Sequence, residues 1–203
     1  MMKKKELPNL LTIFRIVLIP LIVISFYVPW KITNLIVAFL FLLASITDYF
    51  DGYFARLYKV QSNFGRCFDP IADKLLVSVS LLMLVSFSKS IFILIPAIII
   101  ICREILVSGL REFLATLNIG VPVTRLAKWK TAFQMIAITA LLLASKGSNY
   151  TYETIMEFFE VEPLLRIFFN GFIEKIGIIF LNVSAILTVI TGYAYCKVGL
   201  KNM

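Results

Sequence analysis

Apolar stretches about the length of a bilayer crossing recur six times in this chain and constrain it more than any other feature. With soft edges they run from Asn9 to Val28, Ile32 to Arg56, Asp69 to Ser88, Ile91 to Leu117, Arg125 to Ala144 and Phe172 to Lys197. Hydrocarbon offers backbone amides no partners, and a helix satisfies them within its own segment. The expected fold is therefore all-α: a polytopic membrane protein built as a six-transmembrane-helix bundle. Hydrophobic residues make up 60% of the 203 positions, and no polar, Gly/Ser-rich or Pro-rich linker divides them. A single membrane domain over residues 1–203 is the expectation. Pro8, Pro29 and Pro70 fall at expected helix edges, with Asp69 and Pro70 read as the cap and first position of the third helix. The lysine-rich start followed by apolar residues imitates a signal peptide. Arg15 interrupts it and no small-residue cleavage site follows, so it reads as an uncleaved first helix.

Numbering the spans sorts the 20 lysines and arginines between two faces. Only Lys31, Lys89, Lys146, Arg166 and Lys175 fall on one side; the remaining fifteen fall on the other. The positive-inside bias then places both termini in the cytoplasm. Residues 146–171, with four glutamates, are expected as an external loop holding a short amphipathic helix. The net charge of +8 is assigned to loops beside anionic lipid, and no nucleic-acid partner is expected.

Three scattered cysteines and the absence of histidine leave no thiolate or imidazole metal site. Any metal must be held by oxygen, which points to a hard ion. Four of the twelve acidic residues lie between Asp48 and Asp73. Asp48 and Asp51 are three apart near the end of the second span; Asp69 and Asp73 are four apart at the start of the third. On helices each pair falls within about 60° of one face. A short connection makes the two spans antiparallel neighbours and brings the pairs to one depth. Each uncompensated carboxylate there would cost about 3 kcal/mol. An all-oxygen cage for magnesium, manganese or calcium accounts for the four together better than solvated loop acids do. Gly52 and Ala55 allow close approach to the second helix, Gly65 is assigned to the turn, and Arg56 is placed to meet a phosphate that the metal also touches. The combination points to a metal-bound diphosphate.

The pattern D-x2-D-G-x2-A-R-x8-G-x3-D-x3-D, from Asp48, Asp51, Gly52, Ala55 and Arg56 through Gly65 to Asp69 and Asp73, resembles the signature of the CDP-alcohol phosphatidyltransferases. "LPNLLTIFRIVLIP", "REILVSGLREFLA" and "AKWKTAFQM" resemble the bacterial phosphatidylglycerophosphate synthase branch, so the likeness touches the first five spans. The resemblance implies a six-helix membrane domain, a homodimer, that uses two divalent cations, Mg2+ or Mn2+. It implies transfer of a phosphatidyl group from CDP-diacylglycerol to glycerol 3-phosphate, at the cytoplasmic face of the bacterial inner membrane. Asp48, Asp51, Asp69 and Asp73 would be metal ligands, with Asp73 also the general base. Gly52, Ala55, Arg56, Ser62 and Gly65 would meet the CDP-lipid, with Asn9, Thr12 and Arg15 near its head group. A cap and a snorkelling arginine are the alternative for those last three.

The acceptor's own phosphate needs cations away from the metals. Arg103 and Arg111 lie eight residues apart inside an apolar helix, where charge usually faces a polar cavity. Lys128 and Lys130 open the next span. These four form the expected phosphate clamp. Other acceptors (inositol phosphate, serine, or phosphatidylglycerol as in cardiolipin synthesis) remain open, and a divalent-cation transporter is the reading from another class.

Overall fold

The computed structural model describes the backbone of residues 7–28, 33–58, 63–117, 125–145 and 163–201; the side chains of 7–8, 48–58, 63–64, 66–67, 125, 163–170, 198 and 200–201 lie outside the description. Six helices account for nearly all of it: α1 Leu7–Tyr27, α2 Thr33–Tyr58, α3 Asn63–Ser88, α4 Ile91–Thr116, α5 Arg125–Ala144 and α6 Pro163–Lys201. No strand occurs among the described residues. Five helices contain stretches long and apolar enough to cross a membrane: Asn9–Tyr27, Phe68–Ser88, Ile91–Thr116, Leu126–Ala144 and Gly171–Lys197. In α2 the apolar stretch among the described residues is Thr33–Thr47, which ends where the described side chains of that helix end.

Two boundaries differ from expectation. Helix α3 starts at Asn63, so Asp69 and Pro70 lie in its second turn, not at its start. Proline there removes one backbone bond, a loss that membrane helices tolerate where neighbours resupply partners. Helix α6 starts at Pro163, a proline well suited to a first turn, so residues 163–171 belong to a helix and not to the expected loop. The rest of that loop, residues 146–162, lies outside the described residues, as does the expected amphipathic helix wherever it falls within them.

The helices pack with apolar side chains on both sides. Ile22, Phe41, Leu76, Leu84, Ile100, Ile138, Leu142 and Leu181 are buried between them, while Leu82, Ile98 and Ile186 point outward and are more than half exposed. Lipid is as apolar as leucine, so close packing and interhelical hydrogen bonds must hold such a bundle together. Among the described residues the most extensive packing is between α5 and α6, where a Cβ added at Gly177 would sit 2.8 Å from Leu141 Cγ and 3.2 Å from its backbone nitrogen.

Polar groups supply the rest. Pro96 cannot donate to the carbonyl of Phe92, four residues earlier; Asn182 Nδ2 of α6 donates to that carbonyl instead, at 3.1 Å. Asn34 Nδ2 of α2 donates to Ser145 O at 2.5 Å, beyond the last turn of α5, where helix carbonyls lack internal partners. Helices α3 and α4 are joined by Lys89 and Ser90 alone. Lys89 takes φ 50°, the left-handed conformation that commonly closes a helix, and the carbonyl of Ser90 accepts from Leu94 N at 2.9 Å to open the next.

Helix α1 lies against both α2 and α3, which also touch each other; α5 meets α2, α3 and α6, and α4 bridges α3 to α6. This arrangement turns α3 toward two sets of neighbours. One side of it faces α1; the other faces the α4–α5–α6 group.

Candidate active site

Asp69 and Asp73 stand one turn apart on α3, both half-buried. Thr12 Oγ1 donates to Asp69 Oδ1 at 2.5 Å, a link between α1 and α3 across 57 residues of sequence. Thr12 and Arg15 are both completely buried, with Asn9 half-buried one turn before Thr12. Arg15 therefore does not snorkel toward the interface, and the polar residues of α1 face the bundle. Gly65 is buried in the first turn of α3 and is not part of a turn between helices, since α3 begins two residues before it. Asp48, Asp51, Gly52, Ala55 and Arg56 lie on the helical backbone of α2; their side chains, and Ser62 altogether, fall outside the described residues.

The donors fit a hard divalent cation in kind. Asp69 and Asp73 share a helical face, and the unbroken backbone of α2 keeps the three-residue spacing of Asp48 and Asp51 on one face of that helix. Among the described residues alone, no three acidic, cysteine or histidine side chains come together as a metal set. Half of the four-aspartate set lies outside them.

On its other side Asp73 opens into a cavity of about 640 Å³ between α3, α4, α5 and α6. Four helices contribute charge or polarity to its wall: Asp73 and Lys74; Arg103, Glu104 and Arg111; Lys128, Lys130 and Gln134; and Tyr195. A second recess of about 280 Å³ between α3 and α4 shares Asp73, Lys74, Arg103, Glu104 and Arg111 with the first. Arg103, Arg111, Lys128 and Lys130, separated by up to 27 positions in sequence, thus line one space together with Asp73.

The charges in this wall are held from several directions. Lys130, only 4% exposed, pairs through Nζ with Glu104 Oε1, and the same carboxylate oxygen lies 3.5 Å from Arg103 Nη1. Arg103 Nη2 donates to Thr191 Oγ1 at 3.1 Å, and Arg111 Nη2 donates to the Tyr195 hydroxyl at 3.1 Å. Both guanidinium groups also lie over the Tyr195 ring, at 5.6 and 5.5 Å from its centre. Lys74 Nζ donates to Ser108 Oγ and ties α3 to α4 beside Asp73. Ser184 Oγ reaches the carbonyl of Lys130 at 3.3 Å and ties α5 to α6. Five cations, Lys74 among them, against the carboxylates of Glu104 and Asp73 leave the cavity electropositive, suited to an anion such as phosphate.

The contribution of α6 is absent from the motif reading. A signal for it exists in the spacing: Ser184, Thr188, Thr191 and Tyr195 recur at i, i+4, i+7 and i+11, and all are buried. That places one polar stripe along an otherwise apolar helix.

A family model described as CDP-alcohol phosphatidyltransferase matches residues 5–190. The chain belongs to that family. A relative from Rickettsia felis, named CDP-diacylglycerol–glycerol-3-phosphate 3-phosphatidyltransferase, is 47% identical over 193 residues, covering 95% of this chain and 94% of its own length. Relatives carrying the same name from Haemophilus influenzae and Cereibacter sphaeroides are 37% and 36% identical, over 97% and 96% of this chain and 94% and 96% of their own lengths. Within this phosphatidyltransferase the eight signature positions and all five cavity cations lie inside the family match. Thr191 and Tyr195, which hold two of those cations, lie just past its end.

Proposed function

We propose that this phosphatidyltransferase moves a phosphatidyl group from CDP-diacylglycerol to sn-glycerol 3-phosphate, giving phosphatidylglycerophosphate and CMP. The observation that carries the reading is the single cavity in which Asp73 of the family signature meets Arg103, Arg111, Lys128 and Lys130. An acceptor that carries its own phosphate needs both features at once: a base for its hydroxyl and cations for its charge. The family match and the names of the relatives support the same substrates.

In this reading Asp73 takes the proton from the acceptor hydroxyl as its oxygen bonds to the phosphorus of the phosphatidyl group. The bond from that phosphorus to the oxygen of CMP breaks, and the electron pair leaves with CMP. Arg103, Arg111, Lys128 and Lys130 hold the acceptor phosphate and set the hydroxyl's position, which is most of what such a transfer asks of a protein. Thr12 orients Asp69. Gly52, Ala55, Arg56, Ser62 and Gly65 meet the CDP-lipid, with Asn9 and Arg15 near its head group. Asp48, Asp51, Asp69 and Asp73 would hold two divalent cations, Mg2+ or Mn2+, which when bound neutralise diphosphate charge and stabilise the departing CMP.

The same reading makes α2 a sixth crossing and residues 1–203 one domain. It puts both termini and the cavity on the cytoplasmic side of the bacterial inner membrane, where the lysines and arginines concentrate. It also makes the enzyme a homodimer in lipid.

The test is to supply purified protein with CDP-diacylglycerol, divalent cation and one acceptor at a time: glycerol 3-phosphate, inositol phosphate, serine or phosphatidylglycerol. CMP release with glycerol 3-phosphate, and with the others at least tenfold slower, is expected. Preference for another acceptor overturns the assignment.

A further inference from the structure

Arg103 and Arg111 belong to the same helix but are two turns apart, about 12 Å of rise, and neither is fixed by backbone geometry alone. An arginine has many rotamers, and two of them binding one phosphate must both be held before the ligand arrives if affinity is not to be lost in ordering them. Arg103 is held by Glu104 and Thr191, and the bare Gly192 leaves room for its stem: an added Cβ there would lie 3.0 Å from Arg103 Cγ. Arg111 is an exposed residue on α4, so its guanidinium needs an anchor from outside its own helix.

Tyr195 of α6 meets both requirements. It is 4% exposed, its ring centre is 5.6 Å from the Arg103 guanidinium carbon and 5.5 Å from that of Arg111, and its hydroxyl accepts from Arg111 Nη2. The two guanidinium groups are thereby kept within about 11 Å of each other and on the wall of one cavity. The hydroxyl fixes Arg111, and the ring face fixes the spacing of the pair.

We propose that Tyr195 is a positioning residue for the acceptor phosphate, holding Arg103 and Arg111 at the separation at which both meet it. The proposal rests on the assignment of this cavity to a phosphorylated acceptor. It deepens that assignment by giving α6 a part in substrate recognition.

Tyr195→Phe keeps the ring and removes the hydroxyl; Tyr195→Leu removes both. In the full-length enzyme, Tyr195→Phe should raise the KM for glycerol 3-phosphate about tenfold, the effect of one lost charge-assisted hydrogen bond, and Tyr195→Leu should raise it further. The KM for CDP-diacylglycerol and kcat should stay within about twofold in Tyr195→Phe, a split that general loosening of the bundle would not give. In an Arg111→Ala background, Tyr195→Phe should add less than about twofold, because the partner of the hydroxyl is already gone. Binding of inorganic phosphate to the purified protein is the readout independent of turnover, and its affinity should fall in the same order.

An unchanged phosphate affinity and an unchanged glycerol 3-phosphate KM in both variants overturn the proposal. So does a loss shared equally among both KM values and kcat. If the wild-type protein fails to use glycerol 3-phosphate while phosphate affinity still depends on Tyr195, the acceptor assignment falls and the positioning role stands.

Discussion

Glu104→Gln probes the charge balance of the cavity wall. Glu104 is the counter-charge for Lys130, whose side chain is 5% exposed, and for Arg103, 14% exposed, at 3.5 Å. At an effective dielectric of about 20, a unit pair at that separation attracts by roughly 4–5 kcal/mol before desolvation is counted. Removing one member of a buried pair typically costs about 3–5 kcal/mol, because the partner is left charged and uncompensated. The Glu104 side chain keeps 19% of its exposure and borders the open cavity, where solvent screens the charges, so a cost at or just below the bottom of that range, about 2–3 kcal/mol, is expected. In detergent the unfolding midpoint should fall by roughly 5–10 °C. The same substitution removes a negative charge from the wall of the proposed anion site, so saturating inorganic phosphate should restore much of the lost stability, and should stabilise the variant more than it does the wild type. Thermal unfolding with and without phosphate measures both effects. A midpoint within 1–2 °C of wild type, or phosphate protection no larger than in wild type, would refute this account of the wall.

Asp73→Asn should abolish CMP release while CDP-diacylglycerol binding falls less than tenfold, since the amide cannot take the acceptor's proton; substantial turnover would remove Asp73 as base. Asn182→Leu should destabilise the bundle by about 1–3 kcal/mol, because the Phe92 carbonyl opposite Pro96 loses the donor from Asn182; an unchanged unfolding midpoint would mean that another group takes over. Gly177→Ala presses a methyl group onto the Leu141 side chain, with Cγ only 2.8 Å away and the backbone nitrogen 3.2 Å behind it, and should cost about 1–3 kcal/mol, measured the same way, whereas free accommodation would show that this contact is looser than its geometry.

Much of this bundle is legible in its residues because a membrane imposes long apolar runs, and such runs survive any local ambiguity. Five of them reappear at the expected places. The start of α3 is misplaced because Pro70 reads as a boundary, when one missing backbone donor is a small defect inside 26 residues of packed helix. Likewise Pro163 opens α6 ahead of the apolar run that marks its core. In the candidate site, the signature aspartates and the four cations stand out because ionised groups are rare in apolar helices. The Thr12–Asp69 link and the roles of Thr191 and Tyr195 do not stand out. Hydroxyls are tolerated in membrane helices at little cost, as where Thr191 donates to its own helix at Leu187 O, so their presence alone carries little information. Only the regular spacing along α6 distinguishes them.

The most direct measurement is an experimental structure of the enzyme with glycerol 3-phosphate, a CDP-lipid analogue and Mn2+. The acceptor phosphate should lie among Arg103, Arg111, Lys128 and Lys130, with an acceptor hydroxyl within about 2.6–3.2 Å of an Asp73 oxygen and manganese against the signature aspartates. An acceptor bound outside this cavity, or one whose phosphate turns away from the four cations, would contradict the account.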